Sequence, residues 1–147
     1  MEKFAQAIMN YTGAEACASI GSGTNALVCA LKALDIGPGH QVMTVGHTFV
    51  STTEAIVNVG ATPVFVDIDQ FYHLDVNKME LTDTLKAILF VDLYGQTPDV
   101  DKILSFAKQF NLKVIEDAAQ SFGSEYKGKK VGSVADLTCF SLSLIHI

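Results

Sequence analysis

Three short segments of the sequence carry residue types that could do chemistry, and each follows an apolar or small-residue run. The first is Ser19-Ile20-Gly21-Ser22-Gly23-Thr24-Asn25-Ala26-Leu27. Its small residues let the backbone approach a ligand, and the free N–H groups of a first helical turn attract an anion such as phosphate. The segment matches neither G-x-G-x-x-G nor the lysine-bearing P-loop, so a plain helix cap using Thr24 or Asn25 stands beside the phosphate reading. The second segment is Val114-Ile115-Glu116-Asp117-Ala118-Ala119-Gln120-Ser121-Phe122-Gly123, which puts acids directly at the end of an apolar run. An unpaired buried carboxylate costs several kcal/mol, so Asp117 must have a partner. It is either a capping residue at a strand-to-helix turn or a carboxylate that pairs with a cationic heterocycle, a strong charge-assisted bond in a dry pocket. The third segment is Gly46-His47-Thr48-Phe49-Val50-Ser51-Thr52-Thr53-Glu54-Ala55. Phe49 either packs in the core or stacks on a flat ring, an interaction worth on the order of 0.5–1.5 kcal/mol beyond burial. His47 lacks an evident metal partner and reads as structural.

The elements that must position these segments follow from periodicity. Short apolar runs alternate with helical patterns from Ala14 onward, the rhythm of an α/β fold built from βαβ units around a mostly parallel sheet. The pattern predicts helices over residues 2–10, 23–34, 49–59 and 99–109, and strands over 14–19, 41–46, 62–66, 86–92, 112–116 and 136–142. Residues 67–84 read as a loop with one helical turn near 76–80. The runs Pro63-Val64-Phe65-Val66 and Ala87-Ile88-Leu89-Phe90-Val91 lack alternation, as parallel strands covered on both faces do. Ligands of such sheets bind beyond the carboxyl ends of the strands, where the three polar segments fall.

Composition narrows the function classes. Of 147 residues, 49% are hydrophobic and 18% charged, below the usual charged share of about 25%. That balance points to surface that a partner covers. The net charge is −6 and the ten Lys and Arg are scattered, which argues against nucleic acid and an acidic membrane surface as partners. Cys17, Cys29 and Cys139 show neither CxxC spacing nor a nearby His pair, so no metal site is expected and the thiols read as free. No apolar run approaches the ~18 residues of a membrane span, and the N-terminal residues lack a signal-like apolar region. A soluble, cytoplasmic protein is the expectation.

The three segments, in this order and together with Leu93-Tyr94-Gly95-Gln96 and Tyr126-Lys127-Gly128-Lys129-Lys130-Val131-Gly132, resemble the DegT/StrS family of pyridoxal-phosphate-dependent sugar-nucleotide aminotransferases. The resemblance runs from about residue 4 to residue 141. It implies a fold type I, aspartate-aminotransferase-like architecture: a three-layer αβα large domain, a small C-terminal domain and active sites at a homodimer interface. Residues 1–141 are then expected to be part of the large, cofactor-binding domain, with the small domain absent. The resemblance further implies that Asp117 pairs with the pyridine nitrogen of pyridoxal 5′-phosphate and that Gln120 reaches its ring hydroxyl. By the same resemblance Phe49 covers the ring face, while Gly23, Thr24, the backbone at Asn25 and the hydroxyl of Ser141 hold the phosphate.

Relatives also carry, shortly after that serine, a lysine that binds the cofactor covalently; the corresponding position here is His146. Residues 142–147 are read as an unrelated tail, in preference to a genuine histidine of the kind that sugar 3-dehydratases of this family use as a base. Only in the second case would His146 be catalytic. Asp92 also departs from the histidine that many relatives have before Leu-Tyr-Gly, which leaves one local contact to be explained. The resemblance implies transfer of an amino group, with glutamate as the expected donor, to a keto group of a nucleotide-linked deoxysugar, feeding surface polysaccharides or glycosylated natural products. The isolated chain is expected to be inactive alone. A 3-dehydratase and a non-catalytic cofactor-binding protein are the alternatives.

Overall fold

The computed structural model describes residues 2–142. Its centre is a five-stranded, all-parallel sheet made of β1 (Gln41–Val45), β2 (Thr62–Val66), β3 (Leu85–Val91), β4 (Lys113–Asp117) and β7 (Leu137–Cys139), in the order β2-β1-β3-β4-β7. The helices are α1 (Glu2–Thr12), α2 (Gly23–Ala33), α3 (Val50–Asn58) and α4 (Val100–Phe110). A right-handed crossover sends α3, which links β1 to the outer β2, and α4, which links β3 to β4 in the other direction, to opposite faces of the sheet. Accordingly α2 packs on α3 and against β4 and β7, whereas α4 packs on β3 and β4. This is the three-layer αβα arrangement.

The apolar run of β3 explains its place in the middle. Every residue of β3 is buried except Lys86. Val42, Met43, Ile88, Leu89, Phe90, Ile103 and Ile115 have no solvent exposure, and each large side chain buried this way contributes roughly 1.5–3 kcal/mol. At the sheet edge, β2 leaves Phe65 exposed. The helix α4 is closed at both ends by its own sequence: the Asp99 side chain accepts the Lys102 N–H, and Asn111 takes the left-handed conformation at φ 53°, ψ 43°.

Three expectations need correction. Residues 14–19 form no strand and are largely exposed, because a strand requires a neighbour and no described strand runs beside them. The last strand is limited to Leu137–Cys139, the length over which β4 offers it partners. A short hairpin of β5 (Glu125–Tyr126) and β6 (Lys129–Lys130) adds to the elements that periodicity predicts. Its two turn residues, Lys127 and Gly128, have φ of 50° and 78°, the conformation of a type I′ turn that Asn-Gly usually signals and Lys-Gly does not.

Candidate functional site

The segments that follow the carboxyl ends of β1, β3, β4 and the edge strand β7 lie at one end of the sheet. From β1 come Gly46 to Phe49, from β3 Asp92 to Gln96, from β4 Asp117 to Gln120, and from β7 Ser141. A cavity of about 310 Å³ opens there, lined by Gly46, His47, Thr48, Phe49, Leu93, Tyr94 and Gln120. It lies between β1 and β3, where the connections turn in opposite directions across the sheet. A second depression, of about 280 Å³, lies between α4 and the β5–β6 hairpin and is bordered by the exposed Asp101–Lys127 ion pair. None of the polar segments after the strands reaches it.

Asp117 ends β4 and is buried. Thr52 in the first turn of α3 donates its hydroxyl to Asp117 Oδ2 at 2.7 Å, and the Ala119 N–H donates to Oδ1 at 3.3 Å. Burial raises the Asp117 carboxyl above its ordinary value, against the opposing effect of those two donors. Thr48 lies 2.9 Å from the Thr52 hydroxyl, and the neighbouring Ser51 hydroxyl is 2.7 Å from that of Thr24 at the start of α2. The first turn of α3 therefore ties the acid of β4 to the N-terminus of α2. Asp117 faces the α2–α3 side.

The α2 N-terminus is itself pressed against the exit of β7. A Cβ placed on Gly23 would sit 2.8 Å from Ser141 Cβ and 3.0 Å from Ser141 Oγ, so only glycine lets the two segments meet. Together they form a small cradle of backbone N–H groups and a hydroxyl. Ser22 caps the helix by accepting the Asn25 N–H at 3.2 Å. That bond engages the Asn25 backbone, leaving Gly23 and Thr24 as the first-turn residues for an anion.

Phe49 stands before α3 with 68% exposure, so it is a cavity wall rather than a core residue. Gln120 also lines the cavity, and its Oε1 accepts the Tyr94 N–H at 2.8 Å. His47 is part of an aromatic group at the rim, with ring centroids 5.2 Å from Tyr72 and 6.4 Å from Tyr94. The structure thus brings Gly23, Thr24, Asp117 and Ser141 into one linked cluster with Phe49 and Gln120 beside it, while His146 lies outside the described residues. Sequence reasoning missed Ser51, Thr52 and Tyr94. The run of hydroxyls Ser51-Thr52-Thr53 in a first helical turn was the available signal for two of them. No cluster that could hold a metal occurs among the described residues.

Behind the site, on the opposite face of the sheet from Asp117, lie two further acids. Asp92 follows β3 and Glu116 precedes Asp117, and neither has any solvent exposure. Ser121 donates its hydroxyl to Asp92 Oδ2 at 2.8 Å, while Glu116 Oε2 accepts the Thr138 hydroxyl at 2.7 Å and the Gly132 N–H at 3.3 Å. Burial, reinforced by the neighbouring Glu116, pushes Asp92 up to about 8. Burial also raises Glu116, against the donors Thr138 and Gly132.

With this geometry in place, residues 1–145 match the DegT/DnrJ/EryC1/StrS aminotransferase family. The chain is 44% identical over 137 residues to the UDP-2-acetamido-2-deoxy-3-oxo-D-glucuronate aminotransferase of Pseudomonas aeruginosa, a match covering 91% of this chain and 38% of that protein. Among solved structures, the aminotransferase from Psychrobacter cryohalolentis superposes with a TM-score of 0.92 at 38% identity, covering 95% of this chain and 36% of that one. NtdA from Bacillus subtilis, with bound cofactor PMP, superposes with a TM-score of 0.88 at 35% identity over 93% of this chain and 31% of its own. The chain thus spans well under half the length of the relatives it matches. Among the described residues, no helix is long and apolar enough to cross a membrane.

Proposed function

Because the chain belongs to the DegT/DnrJ/EryC1/StrS aminotransferase family, we propose that it is the cofactor-binding portion of a pyridoxal-phosphate-dependent enzyme that moves an amino group, from glutamate as donor, onto the keto group of a nucleotide-linked deoxysugar. In this reading residues 1–141 are part of the large domain of a cytoplasmic homodimer. The observation that carries it is the buried Asp117 carboxyl, joined through Thr52, Ser51 and Thr24 to a helix N-terminus that abuts Ser141.

The residues present fit the cofactor. Pyridoxal phosphate is a flat cationic ring with an anionic arm, and the site offers an acid at one place and a glycine-dependent anion cradle at another. The cavity of about 310 Å³ is at the lower end of ligand pockets, roughly 300–1,000 Å³. When bound, the cofactor supplies an electron sink for bond breaking at the amino-bearing carbon.

The chain's own groups would divide the work as follows. Asp117 holds a proton on the ring nitrogen, and the positive charge beside it offsets the burial that otherwise raises this carboxyl. Thr52 fixes the carboxyl's orientation. The Gly23 and Thr24 N–H groups and the Ser141 hydroxyl take the phosphate. Phe49 covers one ring face and excludes water from it. Gln120, steadied through its Oε1 by the Tyr94 backbone, presents its amide nitrogen to the ring hydroxyl. The dehydratase and binding-protein readings rest on His146, outside the described residues, and no observation favours them.

Fluorescence titration with pyridoxal phosphate tests this assignment. Asp117→Asn should weaken binding by about tenfold or more, the loss of a charged hydrogen bond worth roughly 1.5–3 kcal/mol. Equal affinity for both proteins would remove Asp117 from the site.

A further inference from the structure

Two buried acids remain that the proposed chemistry does not use. Asp92 Oδ1 and Glu116 Oε1 have no hydrogen-bond donor among the described residues, although both side chains are fully buried. Leaving either oxygen unpaired would cost about 1–3 kcal/mol. Register puts them on one face of neighbouring strands, since Asp92 lies two residues beyond Phe90, the partner of Glu116; each acid is then the other's available partner, and two ionised carboxylates cannot bond. One of them must carry a proton.

The surroundings decide which. Glu116 receives two donors from the protein, the Thr138 hydroxyl and the Gly132 N–H, and these favour its ionised form. Asp92 receives one, from Ser121. The other charges acting on Asp92 are acidic, Glu116 and Asp117. On β7 the thiol of Cys139 is pushed up to about 12 by burial and by Asp117, so it offers no charge of either sign near neutrality. On the same face α4 turns Asp101, Lys102 and Lys108 to solvent, and on the hairpin Lys130 is paired with Glu125. Asp92 is therefore the proton carrier and Glu116 the acceptor.

What the pair holds is informative. Ser121, bonded to Asp92, closes the turn that carries Gln120; Thr138, bonded to Glu116, lies in the strand that leads to Ser141. We propose that Asp92 and Glu116 form a proton-sharing carboxyl pair whose members are positioning residues, fixing from behind the sheet the two segments that bear Gln120 and Ser141. The positioning half of this statement rests on the cofactor site proposed above; the pairing does not. Loss of the shared proton puts two like charges in contact in a buried place, and their separation loosens both segments.

The test is made on ligand-free protein first. Infrared spectra of protein labelled with 13C at the aspartate carboxyl should show a protonated carboxyl band near neutral pH that vanishes with a midpoint at about 8. Amide hydrogen exchange over residues 118–121 and 137–141, corrected for intrinsic base catalysis, should rise about tenfold one pH unit above that midpoint. Asp92→Asn, whose amide keeps the donor and cannot ionise, should lack the band and show flat corrected exchange. Glu116→Gln, as a second variant, should also be flat. Wild-type protein without the band would overturn the pair, and identical exchange profiles in wild type and both variants would overturn the positioning role. Pyridoxal phosphate binding is then measured over the same pH range. A failure of all three proteins to bind it counts against the proposed function, while the band and the exchange still decide whether the pair exists and what it holds.

Discussion

The tip of β4 holds two adjacent acids that point to opposite faces of one sheet, and their environments differ in kind. Glu116 is enclosed by protein: Thr138 and Gly132 donate to its Oε2, Oε1 meets no donor among the described residues, and no solvent reaches it. Asp117 has a hydroxyl from Thr52 and an N–H from Ala119 and retains slight exposure. The first acid is enclosed by the fold, and the second is the one that the proposed function gives to a ligand. A strand's alternation thus separates, within a single dipeptide, an enclosed carboxyl from the one that the proposed function uses.

That contrast can be broken most severely at Glu116. Glu116→Ala would orphan the Thr138 hydroxyl, the Gly132 N–H and the Asp92 proton, costing about 3 kcal/mol or more. Urea denaturation should show it, whereas Asp117→Asn should leave stability equal or higher, since burial opposes the charged form there. Equal destabilisation by both changes would erase the distinction. A middle-sized effect belongs to the phosphate cradle. Gly23→Ala forces a Cβ to within 2.8 Å of Ser141, and separating the two segments should weaken pyridoxal phosphate binding by about tenfold, roughly 1.4 kcal/mol. Unaltered affinity would show that the cradle is not used.

The remaining effect is on pH. Asp92, Glu116 and Asp117 all have carboxyls raised by burial, Asp92 to about 8. A raised acid binds its proton more tightly in the folded state, so the stability it confers is complete below the ordinary carboxylate range and is lost as pH rises toward 8. The melting temperature should therefore fall, by roughly ten degrees, between about pH 5 and pH 9, and Asp92→Asn should flatten the fall. A melting temperature that rises over this range would contradict the assignment.

Much of the scaffold is legible in the sequence because parallel strands advertise themselves. The unbroken apolar run of β3 and the acid that ends β4 announce a buried parallel strand with polar residues at its carboxyl end. The similar run of β2 reads as covered on both faces and instead lies at the edge with Phe65 exposed. The parts that are not legible depend on neighbours far away in sequence. Residues 14–19 read as a strand from the alternating rhythm of the chain, but they hold no β-branched or aromatic residue and find no described strand to pair with. The hairpin at Lys127-Gly128 takes a turn whose usual residues it lacks. Thr52 reaches Asp117 across 65 positions, and Asp92 meets Glu116 only because β3 and β4 align in register. Asp92 stands out in the sequence as a departure from relatives, yet only that register names its partner.

The proposed chemistry turns on Asp117 keeping a proton on the cofactor's ring nitrogen. Pyridoxal phosphate labelled with 15N in the ring and bound to the protein reports this by its nitrogen chemical shift. A protonated pyridinium is expected in the wild type at neutral pH, and an unprotonated pyridine in Asp117→Asn. A neutral ring nitrogen in the wild-type complex, or the same shift in both proteins, would contradict that role for Asp117.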